Sequence, residues 1–170
     1  VRMVRSELSE EKALIGFAGA PWTVATYMVA GKGGDDQKAA KVYMTRNPED
    51  FRILIDKLTS ATIEYLSEQI KAGADVVKIF DSWAGALGGT YFRKYVYEPI
   101  KNISDELKKR HPEAKVIAFP RGCGANYKCF CDLTSVDCIA LDSTVSPTWI
   151  KNEVQKIKPI QGNLDPIHLV

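Results

Sequence analysis

Three adjacent side chains near the middle of this 170-residue sequence could form part of a binding or catalytic site. Asp81, Ser82 and Trp83 supply an acid, a hydroxyl group and an aromatic face, and they follow a short apolar segment, residues 74–80. A buried strand of an α/β protein changes from apolar to polar residues where the chain leaves the sheet. In parallel βα folds, ligand sites form at that end of the strands. The alternative is that an acid and a serine here only cap the next helix.

Thiol groups are a second candidate for chemistry. The sequence has four cysteines: Cys123, Cys129, Cys131 and Cys138. Their spacing lacks the paired C-x2-C arrangement of zinc sites, and His111 and His168 are separated from them along the chain. We expect core-facing thiols on a helix, with metal ligands as the alternative, and therefore no metal site. The pattern also differs from an extracellular disulfide framework, which favours a reduced, cytoplasmic protein.

Composition excludes some partners. The net charge is +2 with 26% charged residues, and the one basic run, residues 108–110, falls at a predicted helix end, where cations suit the helix dipole. We therefore expect no nucleic-acid partner. No apolar run approaches the roughly 20 residues of a membrane helix, and residues 1–5 lack the apolar core of a secretory signal. We expect no membrane association.

Five short apolar segments predict strands that alternate with helices. The predicted strands are residues 13–18, 74–80, 115–119, 137–142 and 159–164. The predicted helices are residues 22–29 as one or two turns, 47–73, 91–110 interrupted by Pro99, 127–133 and 146–157. The glycine-rich residues 31–34 lack the spacing of a phosphate loop, so we interpret them as a mobile loop or lid.

Such alternation predicts a parallel sheet with helical crossovers. Either a doubly wound sheet or part of an eight-stranded barrel accommodates it. In both, we expect the strand ends to carry one set of residues on one face: Gly19, Ser82, Arg121, Asp142 and Asn163.

Several motifs resemble the uroporphyrinogen decarboxylase family. They are L-I-G-F-A-G-A-P-W-T at 14–23 followed by Tyr27 and Met28, G-A-D at 73–75, I-F-D-S-W-A-G at 79–85 and Q-G-N-L-D-P at 161–166. The order and spacing match the family along essentially the whole chain. The resemblance implies a (β/α)8 TIM barrel, usually a homodimer, that removes the carboxyl groups of the four acetate side chains of uroporphyrinogen to give coproporphyrinogen. It implies no cofactor.

The resemblance carries two site positions onto this sequence. Tyr27 follows the A-P-W-T motif and Ser82 lies in the F-D-S motif, and each hydroxyl could donate a hydrogen bond to a substrate carboxylate. Aromatic walls for the tetrapyrrole could come from three residues: Phe17, Phe80 and Trp83. Their alternative is core packing, which we favour for Phe17. Arg121 follows a predicted strand exit and could hold a propionate or acetate at the rim; the alternative is a solvent-facing cation.

Other family features have no counterpart in this sequence. The family's arginine-rich segment, its aspartate for the pyrrole nitrogens and its histidine would lie before Val1 or after Val170. We therefore expect residues 1–170 to form one partial barrel domain without the N-terminal and C-terminal segments of the family, inactive when isolated. Two alternatives remain: a zinc-dependent methyltransferase of the same superfamily, or a non-catalytic fragment that acts in binding or assembly.

Overall fold

The computed structural model of this chain describes residues 1–33 and 36–170 and contains one sheet of five parallel strands. The strands are β1 (Ile15–Gly19), β2 (Val76–Asp81), β3 (Lys115–Pro120), β4 (Cys138–Ala140) and β5 (Ile160–Gln161). Each strand pairs with the next one along the chain. The predicted sheet is confirmed. The last two strands are shorter than predicted, because the chain beyond Ala140 and Gln161 turns away to build loops.

Helices connect the strands. They are α1 (Arg2–Glu7), α2 (Pro21–Ala30), α3 (Lys38–Arg46), α4 (Pro48–Lys71), α5 (Gly89–Phe92), α6 (Glu98–Arg110) and α7 (Pro147–Trp149). Wider π turns follow α5 at Arg93–Tyr97 and α7 at Ile150–Val154, and 3-10 turns occur at Ala84–Ala86, Gly124–Phe130 and Pro166–Leu169.

The helices differ from the prediction in three places. Helix α3 was not predicted, because only Ala40 and Met44 of its residues are buried and its apolar pattern is weak. The helix predicted over 127–133 is instead a 3-10 segment that begins earlier. The predicted interruption at Pro99 takes the form of the π turn just before it. Of the glycine-rich residues 31–34, the first three form bends, and Gly34 lies outside the described residues.

Helix α4, predicted over residues 47–73, packs against the sheet with Phe51, Ile55 and Leu66 buried. Its acids at positions 49 and 50 lie in the first turn, where the helix dipole favours them. Asn47 occupies the cap position, but its side chain makes no capping hydrogen bond, because its backbone (φ −132°, ψ 62°) is not extended. Tyr65 is 60% exposed, because Leu66 and Ser67 occupy the buried face at that turn.

The two faces of the sheet differ. Val77, Ile79 and Ala118 are buried against the helices, whereas alternate residues such as Phe17 and Phe80 point to the opposite face. Phe17 is 61% exposed there, so the prediction that it packs in the core is wrong. A doubly wound sheet carries helices on both faces and reverses its strand order. Sequential order with helices on one face is the pattern of a (β/α)8 barrel, of which this chain forms part.

In the described part of the chain, no helix is both long enough and apolar enough to cross a membrane.

Candidate functional site

A cleft of about 720 Å³ lies at the carboxyl ends of the strands. It is lined by Ser82, Trp83, Gly85, Ala86, Phe119, Arg121, Gly122, Leu141, Asp142, Ser143, Thr144, Gly162, Asn163, Leu164, Asp165 and Pro166. The exits of β2, β3, β4 and β5 all contribute to this lining. The predicted set of polar residues on one face is therefore brought together for Ser82, Arg121, Asp142 and Asn163.

Ser82 is the first residue after β2, and its half-buried side chain lines the cleft. Trp83 lines it as well. Tyr27 lies on α2 outside the cleft lining, but its ring centroid is 6.4 Å from that of Trp83, and its side chain is 44% exposed. Tyr27 therefore contacts the ring of Trp83, the residue that follows Ser82 in the chain.

Asp81 points away from the cleft. It is fully buried between the sheet and α2, where its Oδ1 accepts a 2.6 Å hydrogen bond from the Thr23 hydroxyl. Among the described residues its Oδ2 has no partner. Burial raises the pKa of Asp81 from its ordinary 3.8 to about 7, although the hydrogen bond from Thr23 opposes the rise. Asp81 is therefore a buried acid behind the cleft wall.

Helix α2 is bonded directly to the loop after β2. The Trp83 N–H donates to Thr23 Oγ1 at 3.2 Å, and the Trp22 indole Nε1–H donates to the Trp83 carbonyl at 2.9 Å. Trp22 is completely buried and Thr23 nearly so. The A-P-W-T and D-S-W-A-G motifs, which lie far apart in the sequence, are thus joined by hydrogen bonds. Sequence reasoning did not identify Trp22 and Thr23 as part of the site.

Arg121 follows β3 and lines the cleft with an exposed side chain. Its backbone is fixed on both sides: its N–H donates to the Asp81 carbonyl at 3.0 Å, and its carbonyl accepts from the Gly85 N–H at 3.0 Å. Within the described ranges, no carboxylate pairs with its guanidinium. Arg121 is therefore an exposed cation at the cleft on a backbone that hydrogen bonds hold in place.

The backbones of the loops after β2 and β3 approach each other closely at Gly85 and Gly122. A Cβ added to Gly85 would lie 2.3 Å from the carbonyl oxygen of Gly122, a distance that real side chains do not tolerate. Glycine at 85 therefore lets the β2 and β3 exit loops pack directly against each other.

Asp142, the acid that follows β4, holds the loops at the rim of the cleft together by hydrogen bonds. Asp142 Oδ2 accepts from the Gly122 N–H at 2.7 Å and from the Tyr127 hydroxyl at 2.6 Å, and its Oδ1 accepts from the N–H and hydroxyl of Thr144. Partial burial opposes its ionisation, but these hydrogen bonds outweigh it and lower its pKa to about 2. Asn163, after β5, donates to the carbonyls of Asp142 and Val145. Both residues hold loops in place.

A cation lies on the inner face of the sheet, below the cleft. Lys78 Nζ is 4.4 Å from the ring centroid of Phe80 and 4.8 Å from that of Phe119, and it donates to Gln161 Oε1 at 2.7 Å. Burial lowers the pKa of Lys78. Phe80, predicted as a wall of the site, lies on this inner face, whereas Phe119 lines the cleft itself. Sequence reasoning missed Lys78, although a lysine inside an apolar strand is itself a signal.

The cysteines are free thiols. Cys123 and Cys131 are buried, and burial raises the pKa of Cys129 to about 11. Across residues 1–33 and 36–170, no group of three or more His, Cys, Asp or Glu side chains is arranged to hold a metal ion.

The fold and the cleft define a partial (β/α)8 barrel with a cleft at the carboxyl ends of its strands. The chain belongs to the uroporphyrinogen decarboxylase family: the model of that family, described as uroporphyrinogen decarboxylase (URO-D), matches residues 1–170.

Relatives support the same assignment. The chain is 56% identical over 170 residues to a uroporphyrinogen decarboxylase of Ruegeria pomeroyi, covering 100% of this chain and 49% of the relative. It is 55% identical over 170 residues to that of Paracoccus denitrificans, covering 100% of this chain and 50% of the relative. The chain thus spans about half the length of the curated relatives it matches.

The chain is similar in structure to a methyltransferase from Methanosarcina mazei, with a TM-score of 0.75. The superposition covers 96% of this chain and 46% of the methyltransferase chain. The two sequences are only 17% identical, so this likeness concerns the fold alone.

Proposed function

We propose that this chain forms the cleft of a cofactor-independent uroporphyrinogen decarboxylase, which converts the four acetate side chains of uroporphyrinogen into methyl groups. The observation that carries the proposal is the convergence of Ser82 and Arg121 on one cleft, with Tyr27 beside Trp83. Family membership and relatives named for this activity support it.

The proposed reaction needs no oxidant or reductant. A proton added to a pyrrole carbon makes the ring an electron acceptor. The electrons of the bond between the methylene and carboxylate carbons then flow into the ring, and carbon dioxide leaves. The exocyclic carbon takes up a proton to become a methyl group, and the ring loses the proton that it gained. Groups that fix the carboxylates relative to the ring lower the barrier by positioning.

The proposed roles follow from the chemistry of each side chain. The Tyr27 and Ser82 hydroxyls donate hydrogen bonds to the carboxylate of the reacting acetate or orient a neighbouring charged group. Trp83 provides an apolar wall of the cleft for the tetrapyrrole, and Phe80 provides one below it, on the inner face of the sheet beside Lys78. Arg121 holds a peripheral propionate or acetate through its planar donor fork. Because the substrate bears eight carboxylates, a cation at the rim offsets the cost of desolvating one of them.

Activity is tested in a chimeric enzyme in which this chain replaces the matching segment of the Ruegeria pomeroyi relative. We expect this chimeric enzyme to release carbon dioxide from uroporphyrinogen under anaerobic conditions and to form coproporphyrinogen, measured by chromatography after oxidation. A folded chimeric enzyme without product would contradict the proposal. Stoichiometric zinc, together with methyl transfer to a thiol, would favour the methyltransferase alternative instead.

Arg121 has its own test in the chimeric enzyme. Arg121→Ala removes an interaction made equally in the ground and transition states, so KM should rise about tenfold or more while kcat changes little. Arg46→Ala is the control, since Arg46 is an exposed arginine on α3 that does not line the cleft. An unchanged KM for Arg121→Ala would assign this arginine to the solvent-facing surface.

We further propose that the complete protein is a cytoplasmic homodimer with residues 1–170 inside a single barrel domain. Free thiols suit a reducing compartment, and the family resemblance suggests the dimer. Light scattering of the purified protein and fractionation of a tagged copy test these two points.

A further inference from the structure

The loop that carries Ser82 is held by helix α2 rather than by its own strand neighbours alone. Both backbone polar groups of Trp83 bond to α2: its N–H to the Thr23 hydroxyl and its carbonyl to the Trp22 indole. The Thr23 hydroxyl also donates to Asp81, on the other side of Ser82. Ser82 therefore lies between two residues that are each tied to the same threonine.

The same helix carries Tyr27, one turn beyond Thr23. Residues four apart on a helix lie on the same face, so the Thr23 anchor and the Tyr27 ring have a fixed relation. Any movement of the 82–83 turn relative to α2 changes the distance between the Tyr27 and Ser82 hydroxyls. These two hydroxyls are the groups proposed to contact the reacting acetate.

Packing alone does not explain why Thr23 and Asp81 form a buried hydrogen bond beside this turn. Asp81 is fully buried with one oxygen lacking a partner in the described part of the chain, and burying such a group is unfavourable. An apolar residue at 81 would pack against α2 without this penalty. Buried polar networks, in contrast, fix one arrangement among many, because hydrogen bonds are directional.

We propose that Thr23, Trp22 and Asp81 are positioning residues that lock the Ser82–Trp83 turn to helix α2 and so set the spacing of the Tyr27 and Ser82 hydroxyls. The catalytic consequence rests on the proposed decarboxylase function. The effect on the distance between the Tyr27 and Ser82 hydroxyls does not depend on that function.

Thr23→Val in the chimeric enzyme is the test, because valine keeps the shape of threonine and removes both hydrogen bonds. A displacement of about 1 Å in a reacting group lowers rates by up to roughly 100-fold, so kcat should fall on the order of 10-fold to 100-fold. Thr23→Ser, which retains the hydroxyl, should restore most of the activity. Thr59→Val is the control, since Thr59 is a buried threonine whose hydroxyl donates to the Ile55 carbonyl of its own helix.

A double-mutant cycle separates positioning from mere destabilisation. If Thr23 acts through Ser82, adding Thr23→Val to Ser82→Ala should cause no further loss of kcat. Multiplicative losses, or full activity of a folded Thr23→Val variant, would overturn the proposal. Should the chimeric enzyme prove to have no decarboxylase activity, crystal structures of the parent and the Thr23→Val variant decide. An unchanged distance between the Tyr27 and Ser82 hydroxyls then overturns the positioning role.

Discussion

Asp81→Asn should remove a pH dependence of stability that the buried carboxyl imposes. The pKa of Asp81 rises from 3.8 to about 7 on folding, because the carboxyl is completely buried. At about 1.4 kcal/mol per pKa unit, this shift corresponds to roughly 4 kcal/mol.

The sign follows from proton binding. Between about pH 4 and pH 7 the folded state holds the Asp81 proton while the unfolded state releases it, so stability falls as pH rises and levels off above about pH 7. Asparagine keeps an oxygen that can accept from Thr23 but does not titrate. We therefore expect similar stabilities near pH 4, and the Asn variant to gain up to roughly 4 kcal/mol relative to the parent by pH 8.

The assay is urea denaturation of the chimeric enzyme, followed by tryptophan fluorescence at a series of pH values. Asp142→Asn is the comparison, because Asp142 changes stability with pH in the opposite direction to Asp81. The pKa of Asp142 is lowered to about 2, so its contribution is present above about pH 4 and lost below it. Parallel stability curves for the parent and Asp81→Asn between about pH 4 and pH 8 would refute the reasoning about Asp81.

Three further outcomes are expected. Gly85→Ala should destabilise the protein by about 1–3 kcal/mol in thermal denaturation, because the new Cβ meets a backbone carbonyl, whereas Gly88→Ala, with open space around it, should change stability little. Gln69→Leu should cost about 1–3 kcal/mol, because the Gln69 amide pairs with both the N–H and the carbonyl of Phe17, while exposed Gln155→Leu serves as its control. The isolated 170-residue chain should release no carbon dioxide above the uncatalysed rate and should bind an apolar dye, because Phe17 and its neighbours on the inner face are exposed; product formation by this chain alone would contradict that expectation.

The parallel sheet and helix α4 could be predicted because their signals are local. Apolar runs with polar exits mark strands, and a long apolar stripe after proline and acids marks a helix. The cleft residues after β2, β3, β4 and β5 followed from the same rule. Helix α3 gave no comparable signal, because little of it is buried.

The orientation of Asp81 was misjudged for a different reason. It was grouped with Ser82 and Trp83 because all three follow the apolar run. In a strand, however, alternate residues share a face, and Asp81 has the same parity as Val77 and Ile79, both buried under the helices. That alternation is readable in the sequence. The partner of Asp81 is not, because Thr23 lies far away along the chain and only the fold brings the two together.

The exits of the strands are coupled through their backbones. Arg121 bonds to Asp81 on β2 and accepts from Gly85, and Asp142 after β4 accepts from the Gly122 N–H. A shift at one exit therefore displaces the next, from Ser82 through Arg121 to the rim at Asp142. Directional bonds of this kind hold side chains on loops with a precision that exposed loops otherwise lack. For this reason the backbones at Ser82 and Arg121 form one geometric unit, and a change that loosens the 82–85 turn should also weaken the carboxylate binding that we propose for Arg121.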